Sequence, residues 1–240
     1  MKSDGSLQVK ADQMREIELT NARTADVTVA ISDSERAALL DLDPALVVEV
    51  VPLVFELPRI AAGPAKERRG LFFVGGFWHT PNADAVIWFV KEIWPLILRQ
   101  RADLVFRIAG SNAPADVLAL AQRPGVEVVG FVPDLTELFD RSRVFVAPMR
   151  FGAGVKGKVG ESMAHGLPVV ATSIGAEGMS VRDGEHLLVA DAPGAFADAV
   201  LRLVGDDELW ARLQANGRKF VEQTQSMAAA RLKLAELLDG

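Results

Sequence analysis

The chain has 240 residues, half of them hydrophobic, with 26 basic and 32 acidic side chains for a formal net charge of −6, enough for one large domain or one domain and part of another. That balance argues against nucleic-acid binding, which needs a basic face. The absence of cysteine removes disulfide and thiolate chemistry and is compatible with a cytoplasmic setting.

Residues 1–20 are rich in charge and lack the apolar core of a secretion signal. An amphipathic segment then leads to VTVAIS (27–32) and VVEVVPLVF (47–55), which read as two strands bracketing a helix, SERAALL (34–40). Two strands and two helices bury too little surface to close a core of their own. Residues 1–57 are therefore expected to be the remnant of a preceding domain. Their unpaired strands favour a homodimer through this segment. PRIAAGPAKERRG (58–70), with Pro, Gly and clustered charge, reads as a linker.

From residue 71 to 240 a complete domain is expected. Short apolar runs fall at 71–75, 104–110, 126–130, 144–148, 168–172 and 186–190, several without alternation, as in parallel strands covered on both faces. Helical patterns lie between them at 83–100, 114–122, 134–141 and about 157–165. This alternation predicts an α/β domain with a doubly wound six-stranded parallel sheet, Rossmann-like in kind. Asp134 and Glu137 have capping-box spacing, and Gly166 before Pro168 marks a helix stop. Trp88 and Trp94 lie in an amphipathic helix and are expected in the core, and Asp183 is expected to form a turn. After Asp191 the pattern is helical, with restarts near Asp206 and Ser226.

The richest stretch is FGAGVKGKVGESMAHG (151–166). Gly152, Gly154 and Gly157 spell the G-x-G-x-x-G of dinucleotide turns, but such a turn follows the first strand of its fold and this one follows the fourth. Gly152, Gly157 and Lys158 spell most of a P-loop, yet Val159 stands where a Ser or Thr would hold Mg²⁺. A phosphate-binding or NTPase domain is the alternative left by that match. All readings place an anionic phosphate against glycine backbone and a helix N-terminus.

A third reading draws on more of the chain. The run from Phe151 to Met179 resembles the donor-site segment of family-4 glycosyltransferases of the GT-B fold. So do FVGGFWHTPNADAV (73–86), RIAGSNAP (107–114), VVGFVPDLTELFDRSRVFVAP (128–148) and VRDGEHLLV (181–189), in order and spacing, while residues 22–40 resemble the last β-α unit of the acceptor-binding half.

The resemblance implies the nucleotide-sugar-binding half of a transferase that retains anomeric configuration and needs no metal. Its substrate is a nucleoside-diphosphate sugar, and no separate cofactor is implied. Lys156 and Lys158 are the candidate catalytic cations facing the departing diphosphate. Gly75, Gly76, Gly152, Gly154 and Gly157 would offer backbone to the donor or the acceptor. Gly130, Phe131, Val132 and Pro133 would receive the base, and Glu161 the ribose hydroxyls. His79 is a candidate contact for donor or acceptor, and His165 is expected to be a helix-end residue. Three scattered histidines give no zinc-ligand spacing, so no metal site is expected. Ala153 stands where many relatives carry a second carboxylate. The acceptor, a sugar or a lipid-linked one, would be held by an N-terminal domain. The implied location is the cytoplasm or the inner face of the membrane. A donor-binding module without turnover is the other reading of a chain with so little of the acceptor half.

Overall fold

A computed structural model describes residues 4–58 and 63–239; the part of the expected linker at 59–62 lies outside the described residues. The chain divides into two compact units, Met1–Pro52 and Leu53–Gly240.

The first unit comprises α1 (Asp4–Thr24), β1 (Thr28–Ala30), α2 (Asp33–Leu42) and β2 (Val48–Val50). The strands pair in parallel, Thr28 opposite Val48, and Leu19, Ala22, Ala30, Leu46 and Val48 form a small buried cluster. Ser32 caps α2 by accepting from the Glu35 amide at 3.2 Å. The expected strand at 47–55 stops at Val50.

The second unit holds β3 (Leu71–Val74), β4 (Phe106–Ala109), β5 (Val126–Gly130), β6 (Val144–Ala147), β7 (Val169–Ala171) and β8 (Leu188–Val189). They form one all-parallel sheet in the order β5-β4-β3-β6-β7-β8. The chain starts in the middle, works to one edge, then returns to build the other, so the winding reverses between β3 and β6. Both faces are covered. Leu71 and Phe73 join one core with Phe89, Trp94, Phe106 and Phe196. Phe72 points the other way, meeting Phe139 and Phe145 edge-on at 5.2 and 5.7 Å between centroids.

Several elements differ from their sequence expectation for local reasons. The helix expected over 83–100 is α3 (Thr80–Trp88), a π-helical turn at Phe89–Ile93 and α4 (Trp94–Leu98). Pro95 explains the wide turn, because it has no amide hydrogen and its ring crowds the preceding turn. Residues 114–122 form α5 (Ala115–Leu118) and a tighter 3₁₀ turn. The capping box at Asp134 is absent. Asp134 Oδ1 accepts from the Thr136 amide at 2.9 Å, an Asx turn that delays α6 (Thr136–Arg141), and Glu137 pairs with Arg141 instead.

The glycine-loop helix is α7 (Gly157–Ala164), stopped by Gly166 at a φ of 63°. A four-residue helix, α8 (Ser173–Ala176), follows β7 where none was expected. Then α9 (Pro193–Gly205), α10 (Asp207–Thr224) and α11 (Met227–Asp239) complete the unit. Asp206 and Ser226 act as the expected restarts, accepting from the Leu209 and Ala229 amides.

Candidate functional site

The winding reverses between β3 and β6, and in such sheets the usual ligand position is the crevice beyond the carboxyl ends of the strands at that point. Glycines terminate the strands there. The Gly75 amide donates to Ala109 at 3.1 Å and the Gly110 amide to Gly130 at 2.8 Å. Gly110 has a φ of 152°, and a Cβ on it would overlap the Gly75 carbonyl. Gly130 has a φ of 73° with open space beside it. Beyond it Phe131 is 71% exposed, Val132 packs partly against the core and Pro133 is exposed. The segment expected to receive a base is thus an accessible ring on the same sheet edge.

From β6 the glycine loop runs out over this edge and is tied on three sides. Arg150 forms an ion pair with Asp84 on α3 and lies 5.7 Å over the Trp88 ring. Thr172 donates its hydroxyl to the Met149 carbonyl. Gly152 and Gly154 take φ values of 111° and 78°, which only glycine adopts without strain. Lys156, 8% exposed, closes the loop on itself. Its ammonium donates to the Gly152 carbonyl at 2.8 Å, the Gly154 carbonyl at 2.5 Å and Glu177 at 3.3 Å. All three of its hydrogens are committed within the protein.

Lys158 differs in every one of these respects. It lies in the first turn of α7, and its ammonium reaches back to β3 and α3. Nζ donates to Asn82 Oδ1 and sits 4.3 Å over the Phe73 ring. No carboxylate pairs with it among the described residues. The side chain keeps some accessible surface along its length, but its ammonium is closely surrounded. Desolvation first, and repulsion from Lys156 second, push its pKa down to about 7.

Asn82, 6% exposed, links this lysine to the first turn by donating Nδ2 to the Gly76 carbonyl at 2.8 Å. The room beside Gly75 and Gly76 is therefore already occupied. A Cβ on Gly75 would meet Asn82 at 2.7 Å and the Lys158 ammonium at 2.9 Å, and one on Gly76 the Trp78 indole nitrogen at 2.5 Å. Trp78 is 75% exposed, with the exposed ring of His79 at 5.7 Å. The sequence marks Trp78 only as standing near where many relatives carry basic residues, and Asn82 not at all. Their signal is a place within six residues of a strand-ending glycine pair.

One turn further along α7, Glu161 is partly buried, and its carboxylate has no hydrogen bond or ion pair among the described residues. Burial raises its pKa. Lys158 and Glu161 are thus two desolvated groups three residues apart on α7, each without an ion-pair partner among the described residues, which makes them candidates for a site. Between them Val159 is fully buried in the core, so the position of a P-loop hydroxyl faces away from the crevice. His165 lies outside the site, stacked on Phe139 at 4.5 Å, with its pKa lowered by burial. No group of three metal-ligating side chains occurs among the described residues, and no described helix is long and apolar enough to cross a membrane.

The unit is thus a doubly wound α/β domain with a glycine loop and, at its switch point, a lysine without an ion-pair partner among the described residues. Residues 68–206 match the family described as glycosyl transferases group 1, and the chain belongs to that family. Among curated proteins it is 30% identical over 185 residues to a putative glycosyltransferase, YtcC, of Bacillus subtilis, covering 70% of this chain and 44% of that one. It is also 28% identical over 139 residues to an uncharacterised 44.6 kDa protein in the cps region of Klebsiella pneumoniae, covering 55% of this chain and 36% of that one. The chain thus spans less than half the length of these two relatives.

Among solved structures, TarM superposes with a TM-score of 0.77 at 17% identity, covering 95% of this chain and 45% of that one. HepE of Anabaena, solved with UDP and glucose, gives a TM-score of 0.70 at 15% identity, covering 91% of this chain and 64% of that one. These likenesses establish the GT-B glycosyltransferase fold.

Proposed function

We propose that this chain binds the nucleoside-diphosphate end of a sugar donor for a metal-independent, retaining glycosyl transfer. The carrying observation is Lys158, a desolvated ammonium at the switch point with no carboxylate partner among the described residues. A buried cation without a counter-charge is costly, and an anion from outside supplies what the fold withholds. UDP bound to HepE supports a diphosphate as that anion.

In the transfer, the acceptor hydroxyl oxygen bonds to the anomeric carbon as that carbon's bond to the diphosphate oxygen breaks. The hydroxyl proton passes to the departing diphosphate on the same face. Negative charge grows on the leaving oxygens, where the ammonium of Lys158 and the first amides of α7 stabilise it. Lys156 holds the loop in shape, Glu161 accepts from the ribose, and Phe131 offers its face to the base. The acceptor binds outside the unit that carries the sheet.

Calorimetric titration with UDP, GDP, ADP and ATP, with and without Mg²⁺, tests this reading. One diphosphate is expected to bind without metal, and Lys158→Ala to weaken it by roughly 10- to 100-fold, the loss of a charge-assisted contact. Binding of ATP only with Mg²⁺ would overturn the reading in favour of an NTPase-like domain.

A further inference from the structure

Lys158 and Lys156 lie two residues apart on one loop, yet the protein neutralises only one of them. Lys156 has Glu177 and two carbonyls. Lys158 has an amide. The difference falls on the identity of residue 82, because an aspartate there would have the same shape and would cancel the charge.

The orientation of the Asn82 amide follows from its neighbours. An ammonium has hydrogens to give and none to take, so the amide oxygen must face Lys158. The Gly76 carbonyl can only accept, so the amide nitrogen must face Gly76. The same carbonyl also accepts from the His79 amide at 3.2 Å, which fixes the first turn of α3 against β3. Gly75 leaves room for this arrangement and for nothing larger. Asn82 is thereby held at both ends of its amide and is 6% exposed, and it passes its position on to the lysine.

We propose that Asn82 is a positioning residue for donor binding: it holds the Lys158 amine in place for the donor's diphosphate while withholding a counter-charge.

This inference rests on the donor-site reading above and adds to it the residue that tunes the site and a proton coupled to binding. Other titratable groups around the lysine do not supply the missing charge. Lys156 repels it, Asp84 is held by Arg150, and Glu161 on the same helix forms no ion pair with it. His79 lies exposed at the start of α3. The free amine titrates at about 7, and a bound diphosphate favours its charged form. Linkage then requires proton uptake on binding above that pH.

The test has two arms. Without ligand, the Lys158 amine is titrated by NMR in the wild type, Asn82→Asp and Asn82→Ala, with each variant's thermal midpoint recorded. Both substitutions are expected to raise the titration point by roughly one to three units, Asp through its charge and Ala by admitting water. A titration point unchanged in the variant or variants that fold overturns the inference.

With ligand, UDP, GDP and ADP are titrated at several pH values in buffers of different ionisation enthalpy. Wild-type affinity for the one that binds is expected to fall about tenfold per pH unit above 7.5, with up to one proton taken up. In Asn82→Asp, where the lysine is already charged, the uptake and the pH dependence should disappear and affinity should drop at least tenfold below pH 8. A purely structural asparagine would alter affinity without altering the protons exchanged, so unchanged uptake in Asn82→Asp counts against the proposal. Shifted titration points in the first arm, with none of the three diphosphates bound in the second, would overturn the donor reading itself and the coupled proton with it.

Discussion

Gly110 lies directly against Gly75 at the carboxyl edge of the sheet: a Cβ on Gly110 would overlap the Gly75 carbonyl oxygen and stand 2.9 Å from the ring of Phe77. This approach brings the ends of β3 and β4 together where the donor is proposed to bind. Gly130, two strands from β3 on the same edge, also has a positive φ but nothing within 4 Å of its side-chain position. The two glycines therefore separate steric crowding from backbone conformation. Gly130→Ala is expected to cost roughly 1–2 kcal/mol, the left-handed penalty alone. Gly110→Ala adds an overpacking cost and is expected to exceed it by about 1–3 kcal/mol. Urea unfolding of both variants measures the difference, and equal midpoints would contradict the packing described.

Lys158 should make the fold less stable while serving the site. Its folded-state pKa, about 7, lies below its ordinary 10.5. Between those values the unfolded chain holds a proton that the folded chain has released, so this group's contribution makes stability rise with pH. Below pH 7 the penalty for burying the charge is complete. Lys158→Met removes it, and the difference in melting temperature between variant and wild type is expected to shift by roughly 10–20 °C across that window, in the variant's favour at the acid end, given roughly 1.4 kcal/mol per pH unit and 2–4 °C per kcal/mol at this size. Scanning calorimetry at pH 6.5 and pH 10 checks the trend, with nucleotide binding lost throughout.

Lys156 should behave oppositely, as a loop fastener. Lys156→Ala frees two carbonyls and Glu177, and hydrogen exchange across residues 150–157 should accelerate while the global midpoint moves little. Glu177→Gln removes only a partly exposed partner at 3.3 Å and should cost less than about 1 kcal/mol. If exchange in the loop stays unchanged in Lys156→Ala, the closed loop is held by something else.

Val159→Thr would restore the P-loop spelling without restoring its chemistry. The side chain lies in the core, so the new hydroxyl is buried and the substitution should cost roughly 1–3 kcal/mol. Mg²⁺-dependent ATP binding should not appear. Its appearance in a titration would show that α7 can rotate this face into the crevice.

Much of this protein was legible in its residues because the patterns are local. Uninterrupted apolar runs at 71–74 and 144–147 could only be strands covered on both sides, and the Gly152–Gly157 spacing announced a loop with its helix. Gly166, Asp206 and Ser226 marked helix boundaries by their own chemistry. Where two local signals competed, the reading failed: Asp134 has capping-box spacing to Glu137 but closes a tighter turn onto Thr136. Pro95 widened a helical turn rather than ending the helix.

By itself, then, the sequence determined the alternation of strands and helices, the parallel sheet and the glycine loop with its helix, since each depends on residues within one or two turns of one another. Only the tertiary structure decided which lysine goes without a counter-charge. Lys156 and Lys158 are indistinguishable by spacing, yet Glu177 comes to the first from 21 positions away and Asn82 to the second from 76. Charge compensation depends on what folding brings within a few ångströms, and a linear pattern does not carry those distances.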